Sequence, residues 1–131
     1  MAKGEMVVGI ELQPLPPRSG SAFFKYMPRN VLEIPTVNTS AAVTLDAGGK
    51  CIHARVAVGS VSWKPIVLEP AGLNGKSFDE ALIRKCVAGV HDLAQPVADV
   101  RGSIAYKRNM AVEFAARALI TAWQRAAKKQ D

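Results

Sequence analysis

The residues best suited to chemistry stand together in the run Asp99-Val100-Arg101-Gly102-Ser103-Ile104-Ala105-Tyr106-Lys107-Arg108, just before a long alanine-rich segment. This run contains a carboxylate, two guanidinium groups, a hydroxyl and a phenol. Arg108 falls within the apolar arc of the helix that follows, and an unpaired buried guanidinium is costly. We therefore predict a structural ion pair between Asp99 and Arg108 at the helix start, with contact to a ligand as the alternative.

No motif in the sequence marks a complete active site. The chain has neither a Gly-x-Gly-x-x-Gly or Walker loop for nucleotide phosphates nor a Gly-x-Ser-x-Gly nucleophile turn. Its carboxylates are scattered, without a pair suited to acid–base catalysis. The spacings Cys51-x-His53 and Cys86-x4-His91 differ from those of zinc knuckles. We expect no catalytic residues and no metal site.

Length and composition are those of one globular domain spanning residues 1–131. Hydrophobic residues make up 49% and charged residues 21%, which excludes a disordered or fibrous chain. No apolar run approaches the roughly 20 residues of a membrane helix. Glu5 interrupts any signal-peptide core near the N-terminus. We therefore expect a cytoplasmic protein without a membrane contact.

The net charge of +6 is concentrated in residues 101–131, which carry seven Lys or Arg and two Asp or Glu. One interpretation is a nucleic-acid-binding arm. The other is a helix whose C-terminal cations, including Lys129, complement its dipole and whose tail is solvated. The second is favoured because this region has no recognised nucleic-acid motif.

Hydrophobic patterning and turn residues predict strands followed by helices. Strands are predicted at 6–12, 21–27, 36–45 and 50–61, with a glycine turn at 46–49 joining the last two. Residues 66–73 are predicted to form a short helical segment. A capping box at Ser77 predicts a helix that reaches about Ala94, and a final helix is expected at about 102–128. The inner side of the first helix is expected to comprise Leu82, Cys86, Val90 and Leu93. This order indicates an α+β fold, with an antiparallel sheet of about four strands followed by two to three helices packed on it.

The final helix has two apolar faces. At about 100° per residue, its core arc comprises Ile104, Val112, Ala115, Leu119, Ala122 and Trp123. Tyr106, Met110 and Phe114 form a second stripe within the polar side. This stripe is predicted either to contact loops of the same domain or to form an interface with another domain or subunit.

The signature Asp99-x-Arg101-Gly102-Ser103-x-x-Tyr106-x-Arg108 resembles the C-terminal domain of the flavoprotein subunit of molybdenum hydroxylases, the xanthine dehydrogenase and carbon monoxide dehydrogenase family. Four further segments resemble strands of that domain in the same order: 4–8 its opening strand, 20–26 its second strand, and 41–46 with 57–61 the hairpin that follows. The resemblance covers almost the whole chain and implies the same strands-then-helices fold.

In that family the flavoprotein subunit receives electrons from iron–sulfur clusters on FAD and passes them to a carrier. The resemblance implies an oxidoreductase accessory domain that helps to cover FAD and to dock electron-transfer subunits, namely an iron–sulfur and a molybdopterin subunit. Lys25 matches a lysine that approaches the flavin, and Val7, on the adjacent predicted strand, is a candidate for apolar contact with it. The domains that hold the FAD pyrophosphate are absent from this sequence, so FAD is expected only together with them.

The alternative function is a free-standing protein-interaction module of the same fold that has lost the flavin role. It predicts a defined partner or homo-oligomer formed through Tyr106, Met110 and Phe114. Binding to nucleic acid by the basic tail is the least favoured hypothesis.

Overall fold

The structure, a computed structural model, describes residues 2–29 and 33–128, so Lys129 lies outside the described residues. Within them, an antiparallel sheet is followed by helices. The elements are strands β1 (Ser19–Tyr26), β2 (Val37–Leu45), β3 (Cys51–Gly59) and β4 (Ile66–Leu68), a 3-10 turn (Ala71–Leu73), and helices α1 (Glu80–Val87), α2 (Val90–Leu93) and α3 (Ile104–Lys128). The sheet order is β1-β2-β3-β4, with all neighbours antiparallel. The predicted α+β class is confirmed.

The hairpin between β2 and β3 forms as its turn residues predict. The Asp46 carboxylate oxygen Oδ1 accepts hydrogen bonds from the backbone N–H groups of Gly48 (2.8 Å) and Lys50 (2.9 Å). Gly49 has a φ of +77°, a conformation that residues with a Cβ rarely adopt. Local turn chemistry thus sets the pairing of the two central strands.

Helix α3 covers the inner face of the sheet, mainly β1 and β2. Its contact side is rich in alanine, so the helix backbone approaches the strands closely. At Gly20 a Cβ would lie only 2.1 Å from the Ala122 carbonyl oxygen and 2.4 Å from the Ala126 nitrogen. The predicted core residues Ala115, Leu119, Ala122 and Trp123 are buried, whereas Ile104, at the first turn, is exposed.

The prediction of a strand at 6–12 is wrong. The segment forms no strand, and its apolar side chains are exposed. A strand needs a ladder partner, and Pro14, Pro16 and Pro17 keep the following connection extended, without the three N–H donors. The fourth strand is β4 instead, within the 66–73 segment that was predicted to be helical; only Ala71–Leu73 forms a helical turn there.

The first helix is shorter than predicted and buries a different face. Its N-cap is Asp79, whose carboxylate accepts the Leu82 N–H at 3.1 Å, and not Ser77. Gly89 then separates α1 from α2. The buried residues are therefore Ile83, Val87 and Val90, whereas Leu82 and Cys86 are only partly buried and Leu93 is exposed.

The longest helix, α3, combines its alanine stripe with many charged residues. Throughout the described part of the chain, no helix has both the length and the apolar character needed to cross a bilayer.

Candidate functional site

The signature run forms a tight turn that leads into α3. Asp99 and Gly102 exchange backbone hydrogen bonds, at 3.3 Å from the Asp99 nitrogen and 3.0 Å from the Gly102 nitrogen. Gly102 has a φ of +146°, and a Cβ there would lie 2.5 Å from Cδ1 of Tyr106. The Ser103 hydroxyl accepts the Tyr106 N–H at 3.2 Å and so satisfies one of the free donors at the helix start.

The turn holds the Asp99 carboxylate between two cations, Arg101 and Lys107. We call these three residues the Asp99 group. Oδ1 lies 2.8 Å from Nζ of Lys107 and also accepts the Arg101 backbone N–H at 2.8 Å, while Oδ2 lies 2.6 Å from Nη1 of Arg101. The hydrogen bond from Lys107, followed by that from the Arg101 backbone, holds the pKa of Asp99 below its usual value. Lys107 is only 5% exposed and also donates to the Val97 carbonyl at 2.7 Å.

The predicted ion pair between Asp99 and Arg108 is therefore wrong, because Lys107 and Arg101 take that carboxylate. Arg108 instead donates from Nε to the Ala94 carbonyl at 3.0 Å. Ala94 ends α2, where carbonyl groups lack helical partners, so the guanidinium serves as a side-chain cap. The Asp99 group and Arg108 both have structural partners within the chain.

Beside the Asp99 group lies a cleft of about 400 Å³. Asp99, Arg101 and Lys107 line it together with Trp63, which lies on the loop after β3 and is 100% exposed. Sequence reasoning missed Trp63, since nothing in the pattern around it separates an exposed tryptophan from a buried one. The remaining lining residues are Ile34, Pro35, Ser60, Ser62, Gln95, Pro96 and Val97.

Lys25 lies exposed near the end of β1, on the sheet face away from α3. It pairs in register with Asn38 on β2, which pairs with Gly59 on β3. The Asn38 amide donates to the Ser60 hydroxyl at 2.8 Å, so this row leads across the sheet to the cleft. Among the described residues, no side-chain hydrogen bond or ion pair engages the Lys25 amine.

The same face of the sheet, which we call the outer face, is built mostly from small residues. Phe23 is 64% exposed on it, and Val67 on β4 is also exposed. A shallow groove of about 700 Å³ crosses this face. Its lining comprises Leu12, Ser21, Ala22, Phe23, Ser40, Ala41, Ala42, Arg55, Ala57, Val67 and Arg125. Exposed apolar side chains among small residues suit contact with another folded surface.

The stripe of Tyr106, Met110 and Phe114 packs against the end of β1. The Phe114 ring stacks on Tyr26 with centroids 4.8 Å apart and lies 6.1 Å from the Phe24 ring. The Tyr26 and Tyr106 hydroxyl oxygens are 2.6 Å apart, and this hydrogen bond, together with burial, raises the pKa of Tyr106. The stripe thus contacts its own domain, while Tyr106 remains 38% exposed.

The sequence matches the family model described as CO dehydrogenase flavoprotein C-terminal domain over residues 22–122. The chain belongs to this family. That match includes Lys25, the Asp99 group, the Tyr106 stripe and most of the sheet and α3.

Relatives with known names extend the similarity. The chain is 30% identical over 125 residues to the carbon monoxide dehydrogenase medium chain of Afipia carboxidovorans, covering 94% of this chain and 43% of the relative. It superposes with a TM-score of 0.73 and 28% identity on a chain of reconstituted CO dehydrogenase from Oligotropha carboxidovorans, covering 86% and 40% of the two chains. For quinoline 2-oxidoreductase from Pseudomonas putida 86 the TM-score is 0.74 at 26% identity, covering 84% and 39%. The chain thus spans less than half the length of these relatives.

In this CO dehydrogenase flavoprotein C-terminal domain, the other residues singled out from the sequence do not come together in one site. Val7 lies on the exposed N-terminal segment and not on a strand beside Lys25. The two cysteines are free thiols, and burial raises the pKa of Cys51, which keeps that thiol protonated and unreactive. Within the described ranges, no three His, Cys, Asp or Glu side chains are grouped closely enough to share a metal ion.

Proposed function

We propose that this chain is the accessory C-terminal domain of a molybdenum-hydroxylase-type flavoprotein and is not catalytic alone. In this proposal residues 1–131 act as one domain and work with a separate FAD-binding part. The carrying observation is the outer face, which presents small and exposed apolar side chains together with Lys25, whose amine has no side-chain partner among the described residues. The proposed partners are that FAD-binding part, an iron–sulfur subunit and a molybdopterin subunit.

The outer face supports a docking role because of its composition. An antiparallel sheet with one face in solvent normally presents polar side chains there. This face carries polar residues such as Lys25 and Arg55, but it also combines short Ser and Ala side chains with exposed Phe23 and Val67. A partner surface could approach the strands closely between these two side chains and bury both of them.

The residues of this chain fit one edge of a flavin ring but not the FAD phosphates. A cation at Lys25, with the Asn38 amide on the paired strand beside it, suits a ring edge that gains negative charge. In contrast, the sequence has no glycine-rich phosphate loop. When bound, FAD supplies the chemistry of accepting and passing on electrons; Lys25 would favour the reduced ring by its charge alone. Assignment to an oxidoreductase is supported by the family match.

The test uses the whole chain co-expressed with the FAD-binding portion of the Afipia carboxidovorans medium chain. The measurements are retained FAD per complex and the flavin reduction potential, compared for wild type, Lys25→Met, Lys25→Arg and the control Lys50→Met in the β2–β3 turn. We expect Lys25→Met to shift the potential to more negative values, with Lys25→Arg near wild type and Lys50→Met unchanged. An unchanged potential in Lys25→Met would remove the flavin-facing role.

The alternative function remains a protein-interaction module without flavin. It predicts a defined assembly that forms in the absence of FAD and that does not respond to Lys25→Met. Phe114→Asp is a poor probe of this alternative, because Phe114 packs on Phe24 and Tyr26 and its replacement would disturb the fold itself. Tyr106→Ser, at the exposed end of the stripe, is the better variant for measuring assembly by light scattering.

A further inference from the structure

The N-terminal segment 6–12 has the pattern of a strand without a partner. Its even-numbered residues are Met6, Val8, Ile10 and Leu12, all apolar, so an extended chain would place them on one side. With Val7 included, their exposed fractions run from 64% to 90%. Among the described residues no backbone hydrogen bond engages this segment. Five exposed apolar side chains in seven residues are far more than an isolated surface segment needs.

The free edge of β1, the next strand along the chain, does not pair with the segment. Arg18 and Tyr26 direct their carbonyl groups toward the β2 side, so Ser21 directs its carbonyl to the free edge of β1. Arg125 donates to that carbonyl from Nη1 at 2.7 Å and occupies the position where a strand would pair. The prolines between the segment and β1 hold the connection extended and oppose a tight hairpin. The same guanidinium blocks this edge against a second copy.

Sequence similarity to a medium chain extends into this segment, beyond the match to the domain family. The alignment with the Afipia carboxidovorans medium chain leaves only about eight residues of this chain uncovered, so it includes residues 9–12 wherever those eight fall. The match to the C-terminal domain family begins only at residue 22. Residues 9–21 are therefore shared with a full-length medium chain but precede the part that is typical of this domain family.

We propose that residues 6–12 form a β-strand that adds to an open sheet edge of the FAD-binding part, with Val8 and Ile10 buried in that part. The backbone would supply the ladder hydrogen bonds, and the even-numbered side chains would supply the apolar contact. The inference rests on the proposed function. It assigns to the segment a role as a strand contributed to the partner, separate from the contact of the outer face.

The experiment measures binding of the whole chain to the FAD-binding portion of the Afipia carboxidovorans medium chain, with FAD present. We compare wild type with Ile10→Lys and with the matched control Ile52→Lys, which changes an exposed isoleucine on β3 in the same way. We expect Ile10→Lys to weaken binding by about tenfold or more, since it removes a buried side chain and buries a charge. Ile52→Lys should bind as wild type does. Both variants should fold, because neither side chain is buried in this chain.

Hydrogen exchange followed by NMR gives a second, independent measurement. Amides 7–12 should exchange rapidly in the chain alone and become protected at every second residue in the complex, the pattern of a strand paired on one side. If wild type binds but Ile10→Lys binds equally well, or amides 7–12 stay unprotected, this inference is overturned and the proposed function stands. If the wild-type chain does not bind, both are overturned.

Discussion

At the scale of single residues, the Asp99 group depends on Lys107 more than on Arg101. The Lys107 amine is buried and bridges the Asp99 carboxylate and the Val97 carbonyl, whereas the Arg101 side chain is partly exposed. Removing the amine takes this donor from the Val97 carbonyl and leaves Asp99 Oδ1 with only the Arg101 backbone N–H. We expect Lys107→Met to lower the free energy of unfolding by about 1–3 kcal/mol, measured by urea denaturation. Arg101→Met, the control, should lower it by less; equal losses would contradict this ranking.

The same group makes stability depend on pH. Because the pKa of Asp99 is lower in the folded state, the stability it contributes is present above the usual aspartate pKa and is lost as the pH falls through the lowered value. We expect the melting temperature of wild type to fall between about pH 5 and pH 2. In Lys107→Met, which lacks the main cause of the shift, the fall should be shallower. Melting curves recorded by circular dichroism across this pH range decide the point.

The choice of Lys107 over Arg108 also marks a limit of sequence reasoning. Adjacent helical residues differ by about 100° in direction, so the rotation of α3 about its own axis decides which of the two cations faces Asp99. That rotation is set by packing of the alanine stripe against β1 and β2, which the helical pattern alone does not specify. The family resemblance predicts Lys25 as a flavin-facing residue, but only the structure shows that it is exposed on the outer face. Trp63 had no signal in the sequence at all.

At the scale of elements, the sequence predicted correctly those elements whose hydrogen bonds and conformation are set by neighbouring residues. The turn at Asp46 and Gly49 carries its own hydrogen bonds and backbone conformation, so the hairpin was predictable. The long periodic pattern of α3 was equally clear. The strand predicted at 6–12 failed because a strand depends on a partner, and its apolar pattern gives no information on where that partner lies. The N-cap moved from Ser77 to Asp79 because both residues suit that position.

The contact between β1 and α3 is the element-scale feature that is most sensitive to a single methyl group. Since a Cβ at Gly20 would meet backbone atoms of Ala122 and Ala126, no side-chain movement relieves the clash. We expect Gly20→Ala to reduce the free energy of unfolding by about 3 kcal/mol or more. Gly9→Ala is the control, since a Cβ there meets nothing within 4 Å. Thermal and urea unfolding compare the two, and a stable Gly20→Ala variant would contradict the close approach.

At the scale of the whole molecule, the basic charge of the C-terminal region is largely used within the fold. Arg117 pairs with Glu113 at 2.7 Å and lies over the Phe114 ring, and Arg125 binds the edge of β1. Arg84 on α1 reaches the same Glu113 at 2.8 Å and so ties α1 to α3. These contacts support the interpretation of the charge as a helix surface, and they give a nucleic-acid-binding arm no additional support.

The whole molecule also divides into a packed body and an N-terminal segment that contributes nothing to its core. Residues 2–11 are exposed, and the groove on the outer face begins only at Leu12. We expect deletion of residues 2–11 to leave the melting temperature of the chain unchanged, because the unfolded and folded states hydrate those side chains alike. The control Val37→Ala, at a fully buried position, should cost about 2 kcal/mol. A clear loss of stability on deletion, measured by calorimetry, would mean that the segment packs on the body in solution, and its apolar side chains would then be unavailable to a partner sheet.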